Sequence, residues 1–410
     1  MCCLDDLISS DHRARQVWAY VEACDLSALY EPIRAVEGGA GRPPIDPAIL
    51  MALWLYATLE GVGSARLLER LCDSDAAYRW IRGGVGVNYH TLADFRVEAG
   101  PVLDDLLTRS MAALVSAKIV DLSCLAIDGV RVRASAGTSS FRSADRLSQL
   151  RDLARDKVAA LREELQSDPG AASKRARERA AREAQDRLAR IEEARKAADA
   201  IEDERRREAA KQRRLTPKKA KPPRASTTDP QARVMAMADG GYRPAYNLQF
   251  KTDPKSGCVV GLEATNRASD RSQLMASIEE IDRRYKVKPT RVLADGGYAG
   301  KDDIEQAHGA GIEVFIPVPG SEGRPVPAEP KPKEGPGVIA WRQRMSREES
   351  FETYRRRIAC ERPHADARNR GLQRFIVRGL KKVRAVALWH VTAYNFLQIQ
   401  YLSRQVSQAL

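Results

Sequence analysis

The 410-residue chain has few aromatic residues and no long hydrophobic run. Its longest apolar stretch, residues 49–59, is shorter than the roughly 20 residues that a membrane-spanning helix needs. Asp5 and Asp6 stand where a signal peptide would carry positive charge. We therefore expect a cytoplasmic protein with no membrane segment.

The sequence also lacks the cysteine patterns of metal-binding or disulfide-rich proteins. Its seven cysteines are scattered without a CxxC pair, and its five histidines lie far from them. This spacing excludes a zinc knuckle and a disulfide framework, because both need closely spaced ligands or paired cysteines. Reduced thiols are the expectation.

Positive charge is abundant and unevenly distributed. The chain has 68 Lys and Arg against 55 Asp and Glu, a net charge of +13. Residues 142–224 alone hold 25 basic and 16 acidic residues. A basic protein favours polyanionic partners, of which nucleic acid is the commonest, although many basic proteins bind none.

The basic segment has helical periodicity. Small and aliphatic residues recur every three or four positions between 147 and 201, and turn residues interrupt them at 167–170. This pattern predicts an inserted antiparallel coiled-coil hairpin, which with a basic linker spans residues 142–228. The charged faces of these helices are either exposed to solvent or form a DNA clamp. The Lys-rich residues 218–221 are candidates for phosphate contact.

Residues 1–115 are predicted to form a helical domain. Asp46 followed by Pro47 is a helix start, glycines at 61 and 63 break the chain, and Thr91 to Asp94 are candidate caps for a later helix. Short helices with several arginines fit a helix-turn-helix-like DNA-binding domain and fit an ordinary helical bundle equally well.

Residues 116–141 and 229–410 are predicted to form a mixed α/β domain. Strands are expected near 123–127, with Val130 and Val132 continuing the first, and at 246–251, 258–264, 290–294 and 312–317. Helices are expected at 272–285, 302–308 and 383–402. Residues 253–257 have the composition of a hairpin turn.

Two aspartates each follow an apolar strand and precede a glycine. Asp128 precedes Gly129, and Asp295 precedes Gly296. Either aspartate alone fits a turn or helix cap. Together they fit a site at the carboxyl ends of strands, where carboxylates are suitable ligands for Mg²⁺.

A third carboxylate lies in an arginine-rich stretch. On an ideal helix Tyr354, Arg357, Glu361 and Arg368 would share one narrow face. Because Pro363 interrupts helical hydrogen bonding, the four residues share this face only if the helix kinks at Pro363 and does not end there. On spacing alone, a surface ion pair between Arg357 and Glu361 explains the pattern equally simply.

These motifs resemble the insertion-sequence transposases of the DDE class, in particular the bacterial group with a Y-x2-R-x3-E-x6-K signature. Tyr354, Arg357 and Glu361 match it, and Arg368 replaces the lysine. Asp128 matches the first aspartate motif of that family and Asp295 the second. Tyr246-Asn247 and Asp270 also lie in stretches similar to that family.

The resemblance implies a ribonuclease H-like catalytic domain in which Asp128, Asp295 and Glu361 hold two Mg²⁺ ions, with Mn²⁺ as a substitute. Arg357 and Arg368 would position DNA phosphates, and Tyr354 would contact the same strand. The implied partners are double-stranded DNA, as element ends and target, and a second copy of the chain on that DNA. Nucleoid association would follow.

Three departures and alternatives remain open. Arg368 lacks the compact ammonium of lysine, and His364 stands where many relatives have an aromatic or apolar residue. Trp341 fits either a core residue or one that stacks on a flipped base. The rivals to an active transposase are an inactive relative that only binds DNA and a metal-dependent nuclease that acts on other DNA.

Overall fold

The computed structural model describes residues 3–33, 44–167, 171–211, 222–321, 324–325 and 333–409. The first part is helical, as expected, and its helices are α1 (Arg13–Glu22), α2 (Ser27–Tyr30), α3 (Pro47–Leu59), α4 (Ala65–Ser74), α5 (Ala76–Arg82), α6 (Tyr89–Glu98) and α7 (Gly100–Ser116). A 3₁₀ turn, Leu4–Leu7, precedes them.

Local sequence explains how these helices start. The Asp46 carboxylate accepts a hydrogen bond from the Ala48 amide and Pro47 occupies the first turn of α3, which confirms that predicted start. The predicted cap at Thr91 to Asp94 is wrong, because Asn88 caps α6 earlier by accepting from the Thr91 amide. An Asn side chain caps a helix as well as Asp does.

The rest of the chain is a mixed α/β structure, as predicted. Its strands are β1 (Cys124–Arg133), β2 (Phe141–Ser143), β3 (Arg224–Ser226), β4 (Arg233–Ala236), β5 (Tyr242–Thr252), β6 (Val259–Thr265), β7 (Arg291–Leu293) and β8 (Glu313–Phe315). The remaining helices are α8 (Ala144–Ser167), α9 (Ala171–Lys211), α10 (Leu274–Tyr285), α11 (Lys301–Gly309), α12 (Pro336–Met345), α13 (Glu348–Arg355), α14 (Glu361–Asn369) and α15 (Leu380–Ala409). Short 3₁₀ segments are Thr138–Ser140, Gly296–Tyr298 and Arg356–Cys360.

The main sheet has six strands in which β1 is central. The order runs β4, β5, β1, β7, β8, and β6 also pairs with β5. β5 is antiparallel to β1, whereas β7 and β8 are parallel to it. The predicted hairpin turn between β5 and β6 is confirmed, because Asp253 accepts hydrogen bonds from the amides of Lys255 and Ser256.

The sheet places Asp128 differently from the prediction. Asp128 is in the middle of β1, not at its end, and lies opposite Phe250 of β5. The reason is that β5 pairs with β1 as far as Arg133, so the chain stays extended beyond the aspartate. β7 pairs only with residues 124–126, so Asp128 still lies where the parallel pairing has ended.

The inserted segment consists of two long helices that run in opposite directions. Arg155 of α8 pairs with Glu192 of α9 at 2.9 Å, and Arg177 of α9 pairs with Glu164 of α8 at 3.9 Å. At the base, antiparallel strands β2 and β3 bring the two ends of the insertion together. Of the predicted turn at residues 167–170, Ser167 ends α8, whereas residues 168–170 lie outside the described residues, as do the basic residues 218–221.

Helix α15 joins the N-terminal helices to the sheet in one hydrophobic core. Trp389 packs against Trp54 of α3 and donates a 2.9 Å hydrogen bond to the Arg96 carbonyl. On its other side, Asn395 bonds both the amide and the carbonyl of Val259 in β6. None of the helices in the described ranges combines the length and apolar character that a membrane span needs.

A buried chain of charges crosses the same interface. Lys251 of β5 contacts Glu280 of α10, Glu280 contacts Arg284 at 3.0 Å, and Arg284 contacts Asp104 of α7 at 2.5 Å. Burial alone would raise the pKa of Glu280, but Lys251 and Arg284 more than offset it and lower that pKa to about 2. Glu280 is therefore charged and is the anion that Lys251 requires.

Glu280→Gln should lower the free energy of unfolding by about 3–5 kcal/mol, because it leaves the Lys251 ammonium, only 2% exposed, without a charged partner. Urea unfolding at neutral pH measures this change. The matched control is Glu183→Gln, which removes one partner of an exposed Arg179–Glu183 pair and should cost no more than about 0.5 kcal/mol. Equal effects of the two substitutions would contradict the role assigned to the buried chain.

Candidate active site

The candidate site is built around the Asp128 carboxylate. Asp128 is 15% exposed, and its Oδ1 accepts a 2.9 Å hydrogen bond from the Gly129 amide. Its Oδ2 faces Arg357, whose Nη1 donates at 3.0 Å. The central strand thus presents this carboxylate at a partly closed surface, with one cation already in contact.

Arg357 links two of the three predicted acids. While Nη1 contacts Asp128, Nη2 donates to Glu361 Oε1 at 3.4 Å. Glu361 itself is 57% exposed, whereas Arg357 is 18% exposed. The expected contact between Arg357 and Glu361 is present, but it is more than a surface pair because the same guanidinium reaches the sheet.

His364 closes the other side of Asp128. Its Nδ1 lies 3.7 Å from Asp128 Oδ2, and its ring packs edge-on against Phe250 at 4.7 Å. Burial, with help from the charges of Arg357 and Arg368, lowers the pKa of His364 to about 4. The imidazole is therefore neutral at pH 7 and does not form an ion pair with Asp128.

The electrostatic environment opposes the charge on Asp128. Burial is the largest cause, and the charges of Asp295 and Asp270 add to it, whereas Arg357 and the Gly129 amide act against it. The net result raises the pKa of Asp128 to about 6. A positive charge placed beside Asp128 would lower this pKa, because it would favour the ionised carboxylate.

Asp295 follows β7, as predicted, and lies near Asp128. Its Oδ1 accepts a 2.8 Å hydrogen bond from the Gly297 amide, so it caps the 3₁₀ turn Gly296–Tyr298. Asp295 therefore has a local role as a cap, and its charge also raises the pKa of Asp128. The two interpretations of this aspartate, cap and site, are therefore compatible.

The predicted single helix through Glu361 is wrong. α13 ends at Arg355, Arg356–Cys360 is a 3₁₀ segment, and α14 begins at Glu361. Pro363 then falls in the first turn of α14, where its missing amide costs nothing. Tyr354 stays beside Arg357, whose guanidinium lies 5.8 Å from its ring, and Arg368 is exposed on α14.

Trp341 does not lie on the site surface. It is 2% exposed, and its indole donates a 2.8 Å hydrogen bond to the Ile316 carbonyl just after β8. Of the two roles predicted for Trp341, the structure supports that of a core residue. Stacking on a base would require that it leave this packed position.

The three predicted acids are not arranged as a metal-binding cluster in this structure. Within the described ranges, no three acidic, histidine or cysteine side chains are close enough together to hold a metal ion. Asp295 is near enough to Asp128 for its charge to raise the pKa of Asp128, and Glu361 is linked to Asp128 through Arg357. The three acids are therefore connected around Asp128 without forming a metal-binding cluster.

Comparison with protein families gives two matches. Residues 220–396 match the Transposase DDE domain, and residues 2–98 match the Transposase domain (DUF772). The chain belongs to the insertion-sequence DDE transposases. No curated protein and no solved structure was found to match this transposase.

The two matches cover the ends of the transposase and leave its middle unmatched. Asp295 and Glu361 lie within the DDE-domain match, whereas Asp128 and helices α8 and α9 lie between the two matched segments. The link between Asp128 and the other two acids therefore comes from the structure, through Arg357 and through the charge of Asp295, whereas the family matches give the class of the protein.

One acidic residue of this transposase was missed as a site residue. Asp270 is 8% exposed and packs against Gly129 and Gly297, which stand next to Asp128 and near Asp295. The sequence pointed to this residue indirectly, since Asp270 and Asn247 both lie in stretches that are similar to the family. Only the fold shows that they lie together.

Asp128→Asn should stabilise the transposase more at pH 7.5 than at pH 4.5. The folded pKa of about 6 exceeds the ordinary value of 3.8, so the folded state binds the proton more tightly and loses stability as pH rises through this window. Asparagine removes that loss, and its advantage should grow by roughly 1–2 kcal/mol between the two pH values. Urea unfolding without divalent metal measures it; an identical advantage at both pH values would contradict the assignment.

Proposed function

We propose that this transposase binds the ends of its insertion sequence and carries out Mg²⁺-dependent DNA strand cleavage and strand transfer by in-line phosphoryl transfer. The observation that carries the proposal is that Asp128 is linked to Glu361 through Arg357 and feels the charge of Asp295, although the three acids come from distant parts of a chain in this family. The mixed sheet with three parallel strands supports a ribonuclease H-like class for the catalytic part. The proposed extent of that part is residues 116–141 and 229–410.

The donor set fits a hard divalent cation. All three acids offer carboxylate oxygens, which Mg²⁺ and Mn²⁺ prefer. The Arg357 guanidinium already lies between Asp128 and Glu361, so the surface accommodates positive charge between two of the proposed ligands. Two bound ions would supply activation of the attacking oxygen and stabilisation of the leaving oxygen.

The residues around these acids have separate roles in the proposal. Arg357 can release one carboxylate and turn to a DNA phosphate, which its planar guanidinium can grip with two hydrogen bonds. Arg368, exposed on α14, would contact phosphate further along the strand, and Tyr354 would pack beside the same strand. His364 and Phe250 exclude water from one side of Asp128.

The remaining parts of the chain would hold DNA in place. Residues 1–115 are proposed as the DNA-binding domain that recognises the element ends, with two copies of the chain acting on the DNA. Helices α8 and α9 are proposed as an antiparallel coiled coil, supported by their ion pairs and by a narrow buried stripe of Leu147, Val158 and Ile191. Their net positive charge suits a nearby duplex.

Asp295→Ala should abolish nicking and joining of a DNA fragment that carries the gene's two flanks, in buffer with Mg²⁺. We expect a loss of at least roughly 100-fold, because the substitution removes one of the proposed metal ligands, and even the loss of a residue that only orients such a ligand costs 10–100-fold. DNA affinity, measured with Ca²⁺ in place of Mg²⁺, should remain. The matched control is Asp302→Ala on α11, an exposed carboxylate whose loss should leave cleavage unchanged.

The contradicting outcome is specific. If neither the unsubstituted protein nor Asp295→Ala nicks or joins the DNA, while both bind it, the enzyme proposal fails and an inactive DNA-binding relative is left. Cleavage of unrelated fragments as fast as of the flanks would instead indicate a general nuclease.

Replacing residues 146–221 with a short Gly-Ser loop should weaken DNA binding in a salt-dependent way. The paired strands β2 and β3 hold the two cut ends together, so the rest of the fold should persist. Each phosphate that the shortened chain no longer neutralises should reduce the slope of log affinity against log salt by about 0.9. Fluorescence anisotropy at several salt concentrations measures the slope, and an unchanged slope would make the hairpin a spacer or dimerisation element.

A further inference from the structure

Asp270 is the centre of a buried hydrogen-bond network beside the proposed site. It lies in the loop between β6 and α10, and its Oδ1 accepts from Asn247 Nδ2 at 2.7 Å and from Gln249 Nε2 at 2.8 Å. Its Oδ2 accepts from Arg131 Nη2 at 3.1 Å. One carboxylate thereby connects the loop to both β1 and β5.

The network extends to the turn that carries Asp295. Gln249, which donates to Asp270, also accepts a hydrogen bond from the Tyr298 hydroxyl. Tyr298 is fully buried at the end of the 3₁₀ turn that Asp295 caps. The path from Asp270 through Gln249 and Tyr298 therefore reaches the second predicted acid.

The glycines beside the two aspartates leave room for Asp270. A Cβ at Gly129 would collide with Asp270 Oδ1 and would lie 2.7 Å from Gln249 Nε2. At Gly297 it would lie 2.9 Å from Asp295 Oδ1 and 3.6 Å from Asp270 Oδ2. Gly296 is different, since its nearest neighbour would be the Pro317 carbonyl at 4.0 Å.

We propose that Asp270 is a positioning residue that sets the separation of Asp128 and Asp295 by tying β1, β5 and the turn after β7 together. The proposal rests on the function proposed above, in which these two aspartates hold the metal ions. A residue that orients metal ligands in this way typically contributes 10–100-fold to metal affinity or activity.

The contacts favour positioning over direct metal binding. A carboxylate has about four lone-pair sites, and three of those on Asp270 are occupied by Asn247, Gln249 and Arg131. All three donors come from strands of the sheet, so they fix the carboxylate against β1 and β5. Asp270 is 8% exposed.

The test compares Asp270→Asn with Gln249→Leu, because the second substitution cuts the same network without removing a charge. Mn²⁺ binding to the full chain without DNA, measured by titration calorimetry, and the Mg²⁺ concentration that gives half-maximal cleavage are the two readouts. We expect each variant to lower the Mn²⁺ affinity by 10–100-fold and to raise the half-maximal Mg²⁺ concentration by a similar factor. The double variant should be no worse than the more severe single variant, since the residues act as one unit.

Two glycine substitutions provide a second test if the substitutions at Asp270 and Gln249 unfold the protein. Gly129→Ala should displace Asp270 and reproduce the loss of Mn²⁺ affinity with every carboxylate still present, whereas Gly296→Ala should not. Thermal unfolding of each variant shows whether it is folded before metal is added.

Three results would overturn the proposal. Unchanged Mn²⁺ affinity in Asp270→Asn would show that Asp270 does not position the ligands. A loss in Asp270→Asn with none in Gln249→Leu would assign the effect to charge alone. Gly129→Ala indistinguishable from Gly296→Ala would show that the space beside Asp128 is not used in this way.

Failure of the proposed function gives a different pattern. If the variants lose Mn²⁺ affinity but the unsubstituted protein does not cleave DNA, the positioning role stands and the enzyme proposal fails. If the unsubstituted protein cleaves DNA and the variants bind Mn²⁺ normally, the enzyme proposal stands and the positioning role fails.

Discussion

Carboxylates at residues 128, 270 and 295 repel one another, and the fold keeps them together because arginines and amides compensate their charge. Arg357 contacts Asp128, Arg131 contacts Asp270, and the amide donors of Asn247 and Gln249 share one oxygen of Asp270. The compensation at Asp128 is incomplete, since burial and its acidic neighbours raise its pKa despite Arg357. The sheet, the turn that Asp295 caps and the Arg357 contact together hold these groups in place.

Much of the α/β part of the fold follows from local sequence. Apolar runs with turn residues between them predicted the strands at 246–251 and 258–264, and the structure confirms both with the Asp253 turn. Asp128 was placed at a strand end because nothing in its own segment shows that a long partner, β5, continues past it. Strand length there depends on a hairpin more than 100 residues away, which no local pattern encodes.

The stretch around Glu361 shows a second limit of sequence reasoning. Helical spacing correctly brought Arg357 near Glu361, but an ideal helix cannot anticipate that the chain tightens into a 3₁₀ segment before Glu361. Asp270 shows a third limit. A lone aspartate in a loop carries no sign of its partners, and only packing of β1 against β5 makes it part of the site.

The contact between Trp54 and Trp389 has a consequence for how the chain folds. The indole of Trp389 bonds the Arg96 carbonyl, a residue 293 positions earlier in the chain, so the N-terminal helices complete their core only when α15 is available. Contacts of such long sequence separation form late and slowly. During synthesis the first helices would therefore present Trp54 and its apolar neighbours to chaperones or to other chains until residues near 389 have emerged. A product truncated before α15 would keep that apolar surface exposed, together with the backbone edge of β6 that Asn395 bonds.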